Sequence, residues 1–146
     1  MGPADSAAVA DLTSQLGYPA NEADIKRRYD FISNREDGCI FVALDANEAV
    51  VGWIHVQATY MLEADTRAEI WGLVVAESAR GSGVGRALVT AAEDWAVTRG
   101  LNMVAVRSNA LRVEARGFYE RLGYKVVKTQ NSFRKSLVNP GRERLG

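Results

Sequence analysis

The chain has 146 residues, 47% of them hydrophobic and 25% charged, and its 18 Lys and Arg balance its 18 Asp and Glu. So apolar and evenly charged a chain is not a disordered segment, its length suits one self-sufficient core rather than two, and neutrality excludes a general nucleic-acid binder, which needs a basic surplus to displace counterions. The zero conceals a division, for residues 1–79 hold 5 bases and 13 acids, net −8, while residues 80–146 hold 13 bases and 5 acids, net +8.

In chain order, Ala7 or Ala8, Leu12 and Leu16 recur at helical spacing and predict a helix over Pro3–Leu16, stopped by Gly17-Tyr18-Pro19. Asn21 caps a second helix with Ile25, Tyr29 and Ile32 on one face. Cys39–Leu44 and Val50–Tyr60 form an antiparallel hairpin around the turn-like Asp45–Glu48. Arg67–Val75 is a strand too apolar for an exposed edge, which puts it near the sheet centre. After the loop 76–83, a third helix carries Val84, Leu88, Ala91 and Trp95 on one stripe and ends near Gly100. Leu101–Val106 is the next strand. Leu111, Ala115, Phe118 and Leu122 mark a fourth helix closed by Gly123, Tyr124–Lys128 and Ser132–Leu137 are two weaker strands, and Asn139–Gly146 reads as a frayed tail.

This order describes one mixed α/β domain over residues 1–146, its sheet covered by helices. The lone Cys39 has no partner for a disulfide or a CxxC metal or redox pair, which suits the cytoplasm. No stretch approaches the roughly 20 apolar residues of a membrane span, and no signal segment opens the chain.

The chemistry concentrates in Arg80-Gly81-Ser82-Gly83-Val84-Gly85-Arg86, between a buried strand and a long helix. Glycines there turn successive backbone N–H groups toward one point, and the helix N-terminus adds partial positive charge, so the loop suits a phosphate or pyrophosphate. It is not a Walker loop, because Gly85 is followed by Arg86 and Ala87 rather than Lys and Ser or Thr. It is not a dinucleotide fingerprint either, because its spacing is G-x-G-x-G with no acid on a following strand end.

Arg80 to Gly85 resembles the Q/R-x-x-G-x-G/A signature of the GNAT superfamily of N-acetyltransferases, and Asn109 to Tyr124 resembles that family's N…A…FYEKLGF segment. With Ala68-Glu69-Ile70 and Leu73-Val74-Val75 upstream, the likeness covers most of Arg67–Val127. It implies a sheet of about six strands flanked by about four helices, with splayed central strands holding acyl-CoA. It further implies an acetyl-CoA cosubstrate, no metal, a small-molecule amine acceptor and a homodimer, in an enzyme that binds neither nucleic acid nor membrane. By this resemblance Leu73, Val74 and Val75 pair with pantetheine, Arg80, Gly81, Ser82, Gly83, Val84, Gly85 and Arg86 cradle the phosphates, Asn109 meets the pantetheine arm, and Tyr119 is the general acid near the sulfur.

The base is left open among Glu69, whose position matches that of a family base acting through water, the sole histidine His55, and water itself. The alternative to an enzyme is a non-catalytic acyl-CoA-binding sensor or interaction module. Trp71 stands where an acid often sits in relatives and Arg116 where a His is common, both positions that bear on substrate choice, and Leu16–Pro19 with the helix after it resembles members of aminoglycoside 6' type. The basic half would meet the polyanionic cosubstrate and the acidic half a cationic amine.

Overall fold

A computed structural model describes residues 1–107 and 113–138. They fall into two compact units, Met1–Arg107 and Ser108–Gly146.

In the first unit a 3-10 turn at Pro3–Asp5 leads into helix α1 (Ser6–Gln15), followed by α2 (Glu22–Ser33). Asn21 begins α2 as expected: its side chain accepts from Asp24 N at 2.8 Å, and Asp24 in return accepts from Asn21 N at 3.2 Å. Strands β1 (Gly38–Leu44), β2 (Val50–Met61), β3 (Ala64–Val75) and β4 (Val104–Val106) form a sheet in the order β1-β2-β3-β4, with helix α3 (Val84–Thr98) crossing from β3 to β4. The first three strands are antiparallel and β4 runs parallel to β3, which is therefore interior, as its sequence predicted.

Because strand side chains alternate, the sheet has two distinct faces. Ile54, Val56, Ala68 and Ile70 form the apolar face and are almost wholly buried, and α3 packs over β2 and β3 with Leu88, Val89, Ala92 and Ala96 inward. The expected stripe on α3 was Val84, Leu88, Ala91 and Trp95; Val84 and Leu88 hold, both facing Gly52 of β2, but further along the seam turns toward small Ala92 and Ala96, which let helix and sheet approach closely. On the other face Val9, Ala10 and Ile25 of α1 and α2 pack with Val42, Val50 and Trp53, and Trp53 Nε1 donates to Thr13 Oγ1 at 3.0 Å. Leu101 lies in the turn that closes α3 rather than in the next strand, which begins at Val104; its N–H bonds Ala96 O at 2.9 Å.

The second unit contains α4 (Val113–Arg121) and an irregular stretch after it. The sheet thus has four strands among the described residues where about six were expected. Residues 124–138 carry no strand, for Val126, Val127, Phe133 and Leu137 are exposed and no ladder hydrogen bonds fix them. The expected start of α4 at Leu111 and the tail 139–146 lie outside the described residues. Among those described, no helix is long and apolar enough to cross a membrane and no group of His, Cys, Asp or Glu could hold a metal ion.

Candidate active site

β3 sets the site. On its β4 side it is paired only at Ala68, Glu69 and Ile70, opposite Val104, Ala105 and Val106; among the described residues Trp71–Val75 has no partner strand on that side. Edge N–H and C=O groups of this kind accept an extended ligand as an added strand. Leu73, Val74 and Val75 therefore form an open backbone edge that leads directly to the glycine loop.

In that loop two glycines take conformations that favour glycine. Gly81 and Gly83 have φ +79 and +90, values that disfavour a side chain, and a Cβ on either would meet nothing within 4 Å, so space above the loop is open. Gly83 is the N-cap of α3 and supplies no side-chain cap. The first-turn amides at Val84, Gly85 and Arg86 have no intrahelical acceptor, and the macrodipole adds positive charge there. Arg80 and Arg86 are exposed at either end, while the Ser82 hydroxyl is turned back onto Ala79 O. This run can hold an anionic group of pyrophosphate type.

At the point where β3 and β4 part, the ladder with β2 also breaks register. His55 pairs with Gly72 and Val56 with Ile70, so Trp71 is an extra residue on β3, a β-bulge that leaves its ring 63% exposed on an interior strand. His55 lies beside it, ring centroids 6.2 Å apart. Glu69 is on the same face, 5% exposed, and its Oε1 accepts from Arg67 Nη2 at 3.0 Å and Arg67 Nε at 3.2 Å. Gln57, opposite Glu69, is within 3.1 Å of His55 Nε2 through Oε1. Burial holds the His55 imidazole below its usual range, against a smaller upward pull from the Gln57 hydrogen bond. Both sequence candidates for the base, Glu69 and His55, therefore stand on one face beside the open edge. Sequence reasoning missed Arg67 and Gln57, although the spacings Arg67-x-Glu69 and His55-x-Gln57 place each pair on one strand face.

Tyr119 belongs to the second unit. Its ring packs edge-on against Phe118 and Tyr124, at centroid distances of 5.1 and 5.7 Å. Burial pushes its phenol up to about 12. Asn109 lies outside the described residues.

The sequence profile of the acetyltransferase (GNAT) family matches residues 7–124 and runs through the boundary between the two units. Aminoglycoside N(6')-acetyltransferase type 1 of Stenotrophomonas maltophilia is 28% identical over 139 residues, covering 92% of this chain and 90% of that one. Among solved structures, a Bacillus halodurans C-125 protein described as a transcriptional regulator aligns with a TM-score of 0.82 at 23% identity, covering 92% of this chain and 96% of that one. AAC(6')-Iy, in complex with the bisubstrate analogue CoA-S-monomethyl-acetylneamine, aligns with a TM-score of 0.81 at 18% identity, covering 93% and 95%.

Proposed function

The chain belongs to the acetyltransferase (GNAT) family, whose acetyl donor is acetyl-CoA, and from that premise we propose that it acetylates a primary amine of a small cationic substrate by direct attack in a ternary complex. The observation that carries this reading is the continuous run from the open β3 edge at Leu73–Val75 through the glycine loop to the uncapped start of α3. Residues 1–146 then form a single acetyltransferase domain, and a lone cysteine suits a cytoplasmic enzyme.

Backbone groups of Leu73, Val74 and Val75 bind the pantetheine amides. The loop from Arg80 to Arg86 receives the pyrophosphate on its amides, its two arginines adding charge, and Asn109 takes the pantetheine arm by its motif position. A backbone N–H at Val74 or Val75 stabilises the oxyanion that forms when an amine attacks the thioester. Tyr119, assigned by motif, serves the departing sulfur. With its phenol at about 12 against about 8.5 for an ordinary thiol, Tyr119 acts by donating a hydrogen bond to the developing thiolate rather than by giving up its proton. A proton leaves the attacking nitrogen for Glu69, His55 or a water between them.

The acceptor is cationic on charge grounds. α1, α2 and the hairpin lie in the half of the sequence with net charge −8, and the Stenotrophomonas relative is named for aminoglycosides. Fold alone does not fix the acceptor. Release of free thiol from acetyl-CoA across polyamines, aminoglycosides, amino acids and peptide N-termini tests the proposal, with turnover expected for polycationic amines first. Preferred acetylation of an acidic amine would refute the charge argument, and calorimetric acetyl-CoA binding with no turnover on the panel would establish the sensor instead.

A further inference from the structure

The single histidine of the chain is held in one tautomer by contacts the sequence does not announce. Gln57 Nε2 donates to the backbone carbonyl of Asp37 at 3.1 Å, and a carbonyl can only accept. The amide orientation is thereby fixed, with Oε1 toward His55 Nε2 at 3.1 Å. An amide oxygen also only accepts, so Nε2 of His55 must carry the hydrogen, and the neutral ring presents its lone pair at Nδ1. Nδ1 has no hydrogen-bond partner among the described residues. Gly38 completes the clamp: it faces Gln57 across the β1–β2 ladder, and a Cβ there would run into the Gln57 amide, with Cδ only 2.8 Å away.

The position of the ring supplies the reason for such a clamp. His55 stands opposite Gly72, next to the bulged Trp71, where β3 loses its pairing with β4 and its open edge begins. Glu69, the rival, is nearly sealed from solvent, with one carboxylate oxygen engaged twice by Arg67. Building on the acetyl-transfer reading above, we propose that His55 Nδ1 takes the proton from the attacking amine, with Gln57 and the Asp37 carbonyl as positioning groups that fix the tautomer.

The step balances. The free amine forms the N–C bond, the nitrogen loses one proton to Nδ1, the C–S bond breaks with its electron pair on sulfur, and the imidazolium later returns its proton to solvent. The other charged groups of the elements packed against the ring are Glu69 and Arg67 on β3, which pair with each other, Asp37 before β1, which faces Arg35 at 3.6 Å, and the Met1 amino group, which donates to Ile40 O. None of them bonds the imidazole, and burial favours its neutral form, whose Nδ1 lone pair can accept a proton.

One histidine gives one imidazole spin system, so long-range proton–nitrogen correlation spectra of the untagged, nitrogen-15-labelled full chain report the tautomer without reference to activity. The wild type should show Nε2–H alone, and Gln57→Leu and Gly38→Ala should each admit a measurable minor Nδ1–H population. With the best amine of the panel, His55→Gln should lower kcat by about 10²-fold or more and abolish the fall of kcat at acid pH, leaving the KM for acetyl-CoA within about twofold of wild type. Gln57→Leu should lower kcat by about tenfold, since the ring loses its fixed orientation as well as part of its competent tautomer. An Nδ1–H wild type overturns the clamp. A His55→Gln enzyme that keeps wild-type kcat and its acid limb overturns the base role. An Nε2–H ring in a protein with no turnover on any amine would instead sink the acetyl-transfer reading, and the base role with it, while the clamp stands.

Discussion

Gly52→Ala tests whether packing beneath α3 sets the anion loop. Gly52 is buried on β2, and an added Cβ would lie 3.0 Å from Val74 O, 3.1 Å from Leu88 Cδ1 and 3.2 Å from Val84 Cγ1. The carbonyl is main chain of the central strand and cannot swing aside; Leu88 is 3% exposed and has nowhere to go. Val84 is the first residue of α3, directly after Gly83, so the cheapest relief lifts the first helical turn off the sheet. Overpacking of this kind costs about 1–3 kcal/mol, and at this chain length each kcal/mol lowers Tm by about 2–4 °C, a fall of about 2–12 °C. Because the turn that moves carries the amides of Val84, Gly85 and Arg86, CoA should also bind about 3- to 10-fold more weakly, equivalent to about 0.7–1.4 kcal/mol. Thermal unfolding and calorimetric titration of the variant with CoA measure the two effects. A Tm within about 1 °C of wild type would refute the tight seam between β2 and α3, and a lowered Tm with unchanged CoA affinity would refute the link from that seam to the loop.

Three further outcomes follow from the geometry. Arg67→Ala leaves the Glu69 carboxylate without its partner where it is almost fully buried, and with Arg67 itself partly exposed the loss should sit near the lower end of the range for broken buried pairs, about 3 kcal/mol in urea unfolding; a loss under about 1 kcal/mol would mean the pair is solvated like a surface one. Arg80→Ala and Arg86→Ala should each weaken CoA binding and flatten its dependence on salt, since both are exposed charges at the loop, and salt slopes equal to wild type would remove them from the phosphate site. Tyr119 is buried with its phenol at about 12 against an ordinary 10. The unfolded chain therefore ionises it first, and stability present below about pH 10 should be lost between about pH 10 and 12. Tyr119→Phe should remove that component from the pH dependence of unfolding and lower kcat by about 10- to 100-fold, less than loss of a full proton donor; an alkaline fall in wild-type kcat near pH 9 that vanishes in the variant would contradict the raised phenol.

What could be read from the sequence was local. Asn21 and Asp24 form a capping box because four consecutive residues decide it, and the strand, glycine loop and helix from Ile70 to Thr98 follow from an apolar run, three alternating glycines and helical spacing. The errors fall where distant residues decide. The α3 stripe was displaced because the seated face depends on how near Ala92 and Ala96 bring the helix to the sheet, a distance periodicity does not encode. The surroundings of Tyr119 are likewise set beyond its own helix, for Gly123, at φ +94, turns the chain back so that Tyr124 N bonds Tyr119 O at 3.0 Å and the Tyr124 ring closes over its neighbour. Tyr124–Lys128 and Ser132–Leu137 read as strands, yet Lys125, Lys128, Arg134 and Lys135 leave each few apolar positions to hold it to a sheet, and neither joins a ladder. His55 shows the same limit at the site. Its shared face with Gln57 follows from a two-residue spacing, but the groups that fix the amide, the Asp37 carbonyl and the bare Cα of Gly38, come from the start of β1 and the residue before it and meet Gln57 only through the register Gly38↔Gln57. A sequence reading can therefore name His55 as a candidate base, whereas the choice of nitrogen that carries the proton is made by β1.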